Sequence, residues 1–362
     1  MASPAIVLLE NEEPFFGLAL GYEGMACGAM AVSALVAGFP DLLTDPSYTG
    51  KIVCFTDPHV GSPGVVPDDL QGDRVAAAAV IAREFGRFAA NRLGEESMAD
   101  FLDKNGIPAV EGVDTRTITE IVARRGLVRA VVGTGKFADA ALLAKEFDRG
   151  GAFAATSPGT DAPRDWKHGV PEAPRFRVVV HDCGVKKGFL RRLAGMGCAV
   201  RVVPAGQTAA ATLAENPDGV VFSSGNGTPE ARPEAVAAAT ALVGKVPLWG
   251  VGVGAGILAA AAGARTVTNG RGQYGIHPVG RPGCPSGEMT SQCHDFWVEG
   301  ESLPGAGLEV THFHLNDGSV EGFKCDRRHL MGVLFHPEAE PGPRDSLYLF
   351  DRFAEMMRGA KA

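Results

Sequence analysis

The sequence predicts an α/β protein in two parts. Residues 1–150 form a mixed α/β N-terminal domain, and residues 175–362 form a largely parallel sheet flanked by helices. Three observations carry this. Strands and short helices alternate regularly after residue 175. A segment rich in proline and polar residues, 151–174, separates this pattern from a less regular first half and reads as a linker with little regular structure. A buried strand near residue 250 breaks into glycine and restarts as an apolar helix, which is the signature of a sharp strand-to-helix elbow.

The second half is the clearer. Phe176–Asp182 is a strand ending at Gly184, and Lys186–Gly195 is a helix. Cys198–Val203 is the next strand, closed by Pro204. Thr208–Glu215 is a helix ended by Asn216-Pro217-Asp218-Gly219. Val220–Phe222 is a third strand, running into the loop Ser223-Ser224-Gly225-Asn226-Gly227-Thr228-Pro229. After another helix, Pro247–Val251 leads into Gly252-Val253-Gly254-Ala255-Gly256 and the run Ile257–Ala262. Met331–Phe335 is the last apolar strand and delivers His336-Pro337-Glu338. Ligands of open parallel sheets bind at the carboxyl ends of the strands. The Asp182–Gly184 turn, the Gly225 loop and the Gly252 elbow all sit at such ends.

In the first half, Ser97–Asn105 and Thr117–Arg125 are helices stopped by Gly106 and Gly126. Alanine propensity alone also makes Val75–Glu84 helical. No internal repeat and no low-complexity tract is found.

Composition narrows the function classes. A chain of 362 residues with 45% hydrophobic and 21% charged residues is ordinary globular material. A net charge of −8 argues against nucleic acid and anionic membrane surfaces as partners. Met1–Glu13 lacks a basic region and reads as a first strand and not as a signal peptide. No apolar stretch suits a membrane span. Seven cysteines without paired metal spacing imply free thiols in a reducing cytoplasm. No metal and no cofactor is expected.

His336 and Glu338, two residues apart after a buried strand, can set an imidazole beside a carboxylate that orients it as a base. Alone, such a triplet is more often a surface turn. With the Gly225–Gly227 loop and the Gly252 elbow it becomes a constellation. The segments Leu43-Thr44-Asp45-Pro46-Ser47-Tyr48, Asp57-Pro58-His59-Val60-Gly61 and Gly112-Val113-Asp114-Thr115-Arg116 join it from the first half. Gly263-Ala264-Arg265-Thr266-Val267, His277-Pro278-Val279 and His336-Pro337-Glu338-Ala339-Glu340-Pro341-Gly342-Pro343 join it from the second.

Over almost its whole length the chain resembles the small subunit of carbamoyl-phosphate synthetase, a class I glutamine amidotransferase. The resemblance implies that the C-terminal domain has the class I amidotransferase fold, and that the N-terminal domain docks on a large subunit. It also implies that residues 76–82 are extended, against their alanine propensity. In that family the elbow reads Gly-Ile-Cys-Leu-Gly-His-Gln. Its cysteine attacks the glutamine side-chain amide, the His-Pro-Glu histidine activates the cysteine, and ammonia passes to the large subunit for pyrimidine and arginine precursor synthesis.

Carried over residue by residue, Gly252 stands where the nucleophile belongs, and Ala255 and Gly256 replace the following His and Gln. The family's Asn-His-Gly-Phe loop is here Cys293-His294-Asp295-Phe296. The implied catalytic positions are His336 and Glu338, retained, with Gly252 inactive. The implied glutamine-binding positions are Ser47, Gly225, Gly227, Val253, Gly256, Cys293, Asp295 and Phe296. Of these, Ser47, Gly225, Gly227 and Phe296 match the family.

Glycine offers no atom that can attack an amide, and losing a covalent nucleophile costs several powers of ten in rate. Losing the Gln removes its donors and its acceptor, and Asp295 adds a carboxylate where a zwitterion should dock. The chain is therefore expected to lack glutaminase activity and to act as a structural or regulatory partner of an ammonia-using large subunit. Two alternatives stand beside this. One is an active glutamine-hydrolysing subunit with a displaced nucleophile, Cys183 or Cys293. The other is a small-molecule binding protein using the vacated pocket. Gly250, Gly252, Gly254 and Gly256 do not have dinucleotide-fingerprint spacing. His59 and His277 read as loop residues with local hydrogen bonds, and Arg124-Arg125 as the solvated end of a helix.

Overall fold

The computed structural model describes residues 3–149, 156–268 and 272–361. The chain divides into two units, Met1–Thr156 with Gly270–Gly275, and Ser157–Asn269 with Ile276–Ala362.

The first unit is built on seven strands: β1 (Pro4–Leu9), β2 (Phe15–Leu20), β3 (Met25–Ser33), β4 (Lys51–Phe55), β5 (Ala79–Ile81), β6 (Ala109–Glu111) and β7 (Arg129–Thr134). They close into a barrel in the order β1-β2-β6-β5-β4-β3-β7, with parallel pairing from β3 through β6 and antiparallel pairing elsewhere. Inward residues such as Val7, Met30, Ile52, Ile81, Val110 and Val132 form its core. Four helices accompany the barrel: α1 (Phe39–Thr44), α2 (Met98–Lys104), α3 (Thr115–Arg125) and α4 (Ala140–Asp148). Ser97 caps α2 on the Asp100 N–H, Asp114 caps α3 on the Thr117 N–H, and α3 adds Ile118 and Ile121 to the barrel core.

The extended run implied by the resemblance for residues 76–82 forms in part, and the helix that alanine propensity alone favours does not. Residues 79–81 are β5, buried and paired with both β4 and β6. A central barrel position with neighbours on both edges overrides a propensity worth tenths of a kcal/mol per residue.

The second unit contains β8 (Arg164–Asp165), β9 (Phe176–Asp182), α5 (Lys187–Gly195), β10 (Cys198–Pro204), α6 (Ala209–Ala214), β11 (Gly219–Phe222), α7 (Pro233–Leu242), β12 (Leu248–Val251) and α8 (Val253–Ala262). It continues through β13 (Thr266–Val267), β14 (Gln273–Gly280), β15 (Glu288–His294), β16 (Trp297–Val298), β17 (Glu309–His314), β18 (Val320–Cys325), β19 (Leu330–Val333) and α9 (Tyr348–Lys361). Five parallel strands, β10-β9-β11-β12-β19, form its centre. The antiparallel strands β18 and β17 extend it on one side, and β8 on the other. Strands β9, β11, β12 and β19 are buried along nearly their whole length, as expected when helices cover both faces, whereas β10 is partly exposed at alternate positions. One core holds α7 and α8 against Val179, Phe222 and Leu248. A second, on the other face, packs α5 and α9 against Trp249, with Phe189, Phe350 and Phe353 around its ring.

Three details differ from expectation. The segment 151–174 is not uniformly irregular: β8 lies in it and pairs with β10, and Trp166 beside it is buried in the second core. Residues 272–275 group with the first unit although the sequence around them reads as continuous second-domain chain. The last central strand runs Leu330–Val333, so Leu334 and Phe335 already belong to the turn that carries His336. No helix among the described residues is long and apolar enough to cross a membrane.

Candidate active site: an elbow without a nucleophile

The elbow forms as the glycines foretell. The β12 strand ends at Val251, and Gly252 turns the chain with φ 55° and ψ −123° before α8 begins at Val253. This is a conformation that side chains strain to adopt and glycine adopts freely. The Gly252 N–H donates to the Val333 carbonyl at 2.9 Å, tying the elbow to the end of β19. A side chain at this position would be tight but not excluded. A Cβ at Gly252 would meet Ser224 Cβ at 3.3 Å, Ser224 Cα at 3.4 Å and the Leu334 carbonyl oxygen at 3.9 Å.

Gly254 is required for a different reason, because a Cβ there would collide with the Phe222 carbonyl at the end of β11. Gly256 is also closed. A Cβ there would lie 2.6 Å from both Phe296 Cε2 and Pro229 Cγ. The space into which a longer side chain would leave α8 is filled by an aromatic ring and a proline.

The glycine loop follows β11. Gly225 has φ 156°, and a Cβ there would run into the Cys183 carbonyl oxygen. Gly227 has φ 103°. The loop is held from behind. Ser157 Oγ accepts the Asn226 N–H at 2.5 Å and donates to the Cys183 carbonyl at 2.9 Å. Arg232 Nη2 donates to the carbonyls of Ser157, Cys183 and Asn226 at 3.1, 3.0 and 3.2 Å. Among the described residues, no acceptor takes the N–H of Gly225 or of Val253. Val253 follows Gly252 in the chain, and Gly225 follows Ser224, the residue nearest to a Cβ at Gly252.

His336 and Glu338 stand together as expected. His336 Nδ1 lies 3.2 Å from Glu338 Oε1, and both side chains are about 1% exposed or less. The backbone N–H of His336 donates to the Ser291 carbonyl at 2.9 Å, which fixes the turn. With the proton on Nδ1, the ring presents Nε2 on its opposite edge, and that atom is buried with no partner among the described residues.

Lys186 was not foreseen. Its Nζ sits 3.1 Å from Glu338 Oε1 and donates to the Ala339 carbonyl at 2.9 Å, and the side chain is wholly buried. Burial pushes the Glu338 carboxyl up, but the Lys186 ammonium and the His336 hydrogen bond outweigh it and hold it down at about 2. The segment behind it is strained: Ala339 and Glu340 both have positive φ, 61° and 53°. Lys186 holds the first by its carbonyl, and Arg191 and Arg192 hold the Glu340 carboxylate at 2.8 and 3.2 Å. Such strain persists where the surroundings over-determine it.

The other expected positions divide. Val253 and Phe296 are buried beside the elbow, Val253 as the first residue of α8 and Phe296 against Gly256. Cys293 is buried and Asp295 half-buried at the end of β15. The loop between them is anchored by His294, whose ring meets the Phe296 carbonyl at 2.9 Å and Gln292 Oε1 at 3.1 Å. Ser47 lies in the first unit, buried on a single 3-10 turn, Pro46–Tyr48, with its N–H on Asp45 Oδ1 at 2.8 Å.

Burial pushes the Cys183 thiol up to about 12, so it stays protonated and is a poor substitute nucleophile. His277 is not a loop residue. It lies in β14, and its Nδ1 is 3.1 Å from His314 Nε2 on β17. Burial first, and then His314, push it down to about 4. His59 is in a loop, with its N–H on Asp57. Among the described residues no cluster of three His, Cys, Asp or Glu is suited to a metal.

A sharp strand-to-helix elbow, a glycine loop whose Gly225 N–H has no acceptor among the described residues, and a carboxylate-oriented histidine make a class I amidotransferase frame. Two family models match the chain: the carbamoyl-phosphate synthase small chain, CPSase domain, over residues 7–132, and glutamine amidotransferase class-I over residues 179–356. The carbamoyl phosphate synthase small chain of Polynucleobacter necessarius is 35% identical, over 99% of this chain and 96% of its own. That of Listeria monocytogenes is 37% identical over 98% and 97%. That of Pseudomonas syringae is 36% identical over 99% of each. The chain belongs to the carbamoyl-phosphate synthase small-chain family.

Proposed function

We propose that this chain is a small-chain homologue whose glutamine site is silent. In this reading it serves as a structural or regulatory partner of a large chain that uses free ammonia. The setting would be the cytoplasm, in pyrimidine and arginine precursor synthesis. The observation that carries the reading is the elbow. Its backbone keeps a nucleophile's conformation, yet Gly252 supplies no nucleophilic atom, and Phe296 with Pro229 fills the space at Gly256. The retained His336–Glu338 pair, joined by Lys186, is explained as a structural cluster holding the strained Ala339–Glu340 turn.

The test is to co-express the chain with a large chain and follow glutamate release and carbamoyl phosphate formation together. Ammonia should support synthesis, glutamine should not, and the two chains should co-purify. Glutamine-dependent synthesis, or failure of the chains to associate, overturns the reading.

A further inference from the structure

We infer that a small cavity in the first unit, at the start of α1, is a docking notch for the guanidinium of an arginine presented by a partner polypeptide. The notch lies wholly within residues 38–91 and is independent of the elbow.

The cavity measures about 60 Å³, roughly twice the ~30 Å³ share of one water molecule. That is room for one small head group and not for a whole amino acid. Phe39, Pro40 and Pro63 line it with apolar surface, and Asp41, Asp69 and Asn91 add polar groups. Its walls are tied together. The Asn91 N–H donates to the Pro63 carbonyl at 3.2 Å, and the Ala90 N–H to the Ser62 carbonyl at 2.9 Å. Gly64, at φ 78°, lets the two loops close, because a Cβ there would lie 2.5 Å from Ala89 Cβ. A notch that is already formed spares its ligand the cost of ordering it.

Charge selects a cation. Segments 36–41, 62–69 and 87–94 carry Asp41, Asp68 and Asp69 against Arg87 and Arg92. Arg87 is committed to Glu111, so three carboxylates stand against one remaining guanidinium. The Asp69 carboxylate takes neither a hydrogen bond nor a cation among the described residues. Asn91 Oδ1 accepts the Leu93 N–H at 3.0 Å and keeps a second lone pair. A guanidinium offers five N–H donors in one plane. It is also more weakly hydrated than an ammonium, so it enters a notch walled by proline and phenylalanine at lower cost.

The rim identifies the source of that cation. Phe88 is 83% exposed, Val36 75% and Leu93 55%, three of the four most exposed large apolar side chains among the described residues. Val36 lies two residues before Gly38, Leu93 two residues after Asn91, and Phe88 next to Ala89. Apolar side chains left in water around a charged notch suit a partner whose arginine is flanked by apolar residues, since arginine is a common interface anchor. A free small cation would leave them uncovered.

The test uses three probes on the full chain at constant ionic strength. They are acetyl-Leu-Arg-Leu-amide, the same peptide with citrulline as the neutral isostere of arginine, and acetyl-arginine-amide. The backbone amide resonances of Gly38 and Gly64 and the side-chain amide of Asn91 should shift saturably with the arginine peptide. The citrulline peptide should bind about tenfold more weakly. Asp69→Asn, at an exposed position, should weaken the arginine peptide about fivefold. Phe88→Ser should weaken the arginine peptide and leave acetyl-arginine-amide unchanged. Equal binding of the citrulline peptide, unchanged affinity in Asp69→Asn, or shifts confined to other surfaces would overturn the inference. Acetyl-arginine-amide binding as tightly as the peptide would overturn the assignment to a partner chain.

Discussion

Replacing Gly252 by cysteine puts the missing thiol back and isolates how much of the deficit is the nucleophile alone. At φ 55° and ψ −123° a non-glycine residue stores strain of about 1–3 kcal/mol. The 3.3 Å approach to Ser224 Cβ asks that neighbour to yield only by tenths of an ångström. Gly252→Cys should therefore fold, with stability lowered by about 1–3 kcal/mol, a drop of roughly 1–4 °C in melting temperature for a chain of 362 residues. Glutaminase activity should stay at background. In the proposed reading the position of the family's glutamine remains Gly256, where Phe296 and Pro229 crowd any side chain, and Asp295 still sets a carboxylate in the segment that answers to the family's Asn-His-Gly-Phe loop. Covalent catalysis is worth several powers of ten only when the amide is held in line for attack. The assay is glutamate release under saturating glutamine, beside the wild-type chain. Robust turnover by this single variant would refute the reasoning, because it would show that the pocket still binds glutamine.

Three further outcomes follow from the buried polar groups. Lys186→Met leaves the Glu338 carboxylate buried without its cation and should cost about 3–5 kcal/mol in urea unfolding, while Lys186→Met with Glu338→Leu should cost clearly less than the two single changes summed. Burial holds the rings of His181 and His312 neutral, at about 4 and about 3 against an unfolded value of 6.5. The unfolded chain thus binds protons that the folded one refuses as pH drops below 6.5. Denaturant-derived stability should fall toward pH 4 with a slope of up to about 2.7 kcal/mol per pH unit from these two groups, and a flat profile would contradict this. Arg232→Ala strips three carbonyls of a charged donor and should cost about 3 kcal/mol, with raised amide exchange confined to residues 225–227 and 157.

Much of this was legible in the residues. The glycine staircase at 250–256, the Gly225–Gly227 loop and His336-Pro337-Glu338 are local patterns, and each forms at a strand end as its spacing implies. Caps at Ser97, Asp114 and Thr208 set helix starts within two residues of where they were expected. What stayed hidden depends on contacts remote in sequence. Lys186 reads as the start of a helix, and only the folded chain brings it to Glu338, more than a hundred residues on. Arg232 reads as a helix-flanking cation, yet it braces a loop and a strand end from three directions. Ala79–Ile81 misleads because alanine's helical preference is weak beside pairing on both edges. The closing of Gly256 by Phe296 and Pro229 needs three separate segments to meet, which no local spacing encodes.

The silent-site account is tested most directly by the intact mass of the chain after rapid acid quenching in the presence of glutamine. A nucleophile anywhere in the protein would leave a glutamyl adduct during turnover, whether on Cys183, Cys293 or another side chain. The account predicts one unmodified mass at every quench time. A transient glutamyl thioester would contradict it.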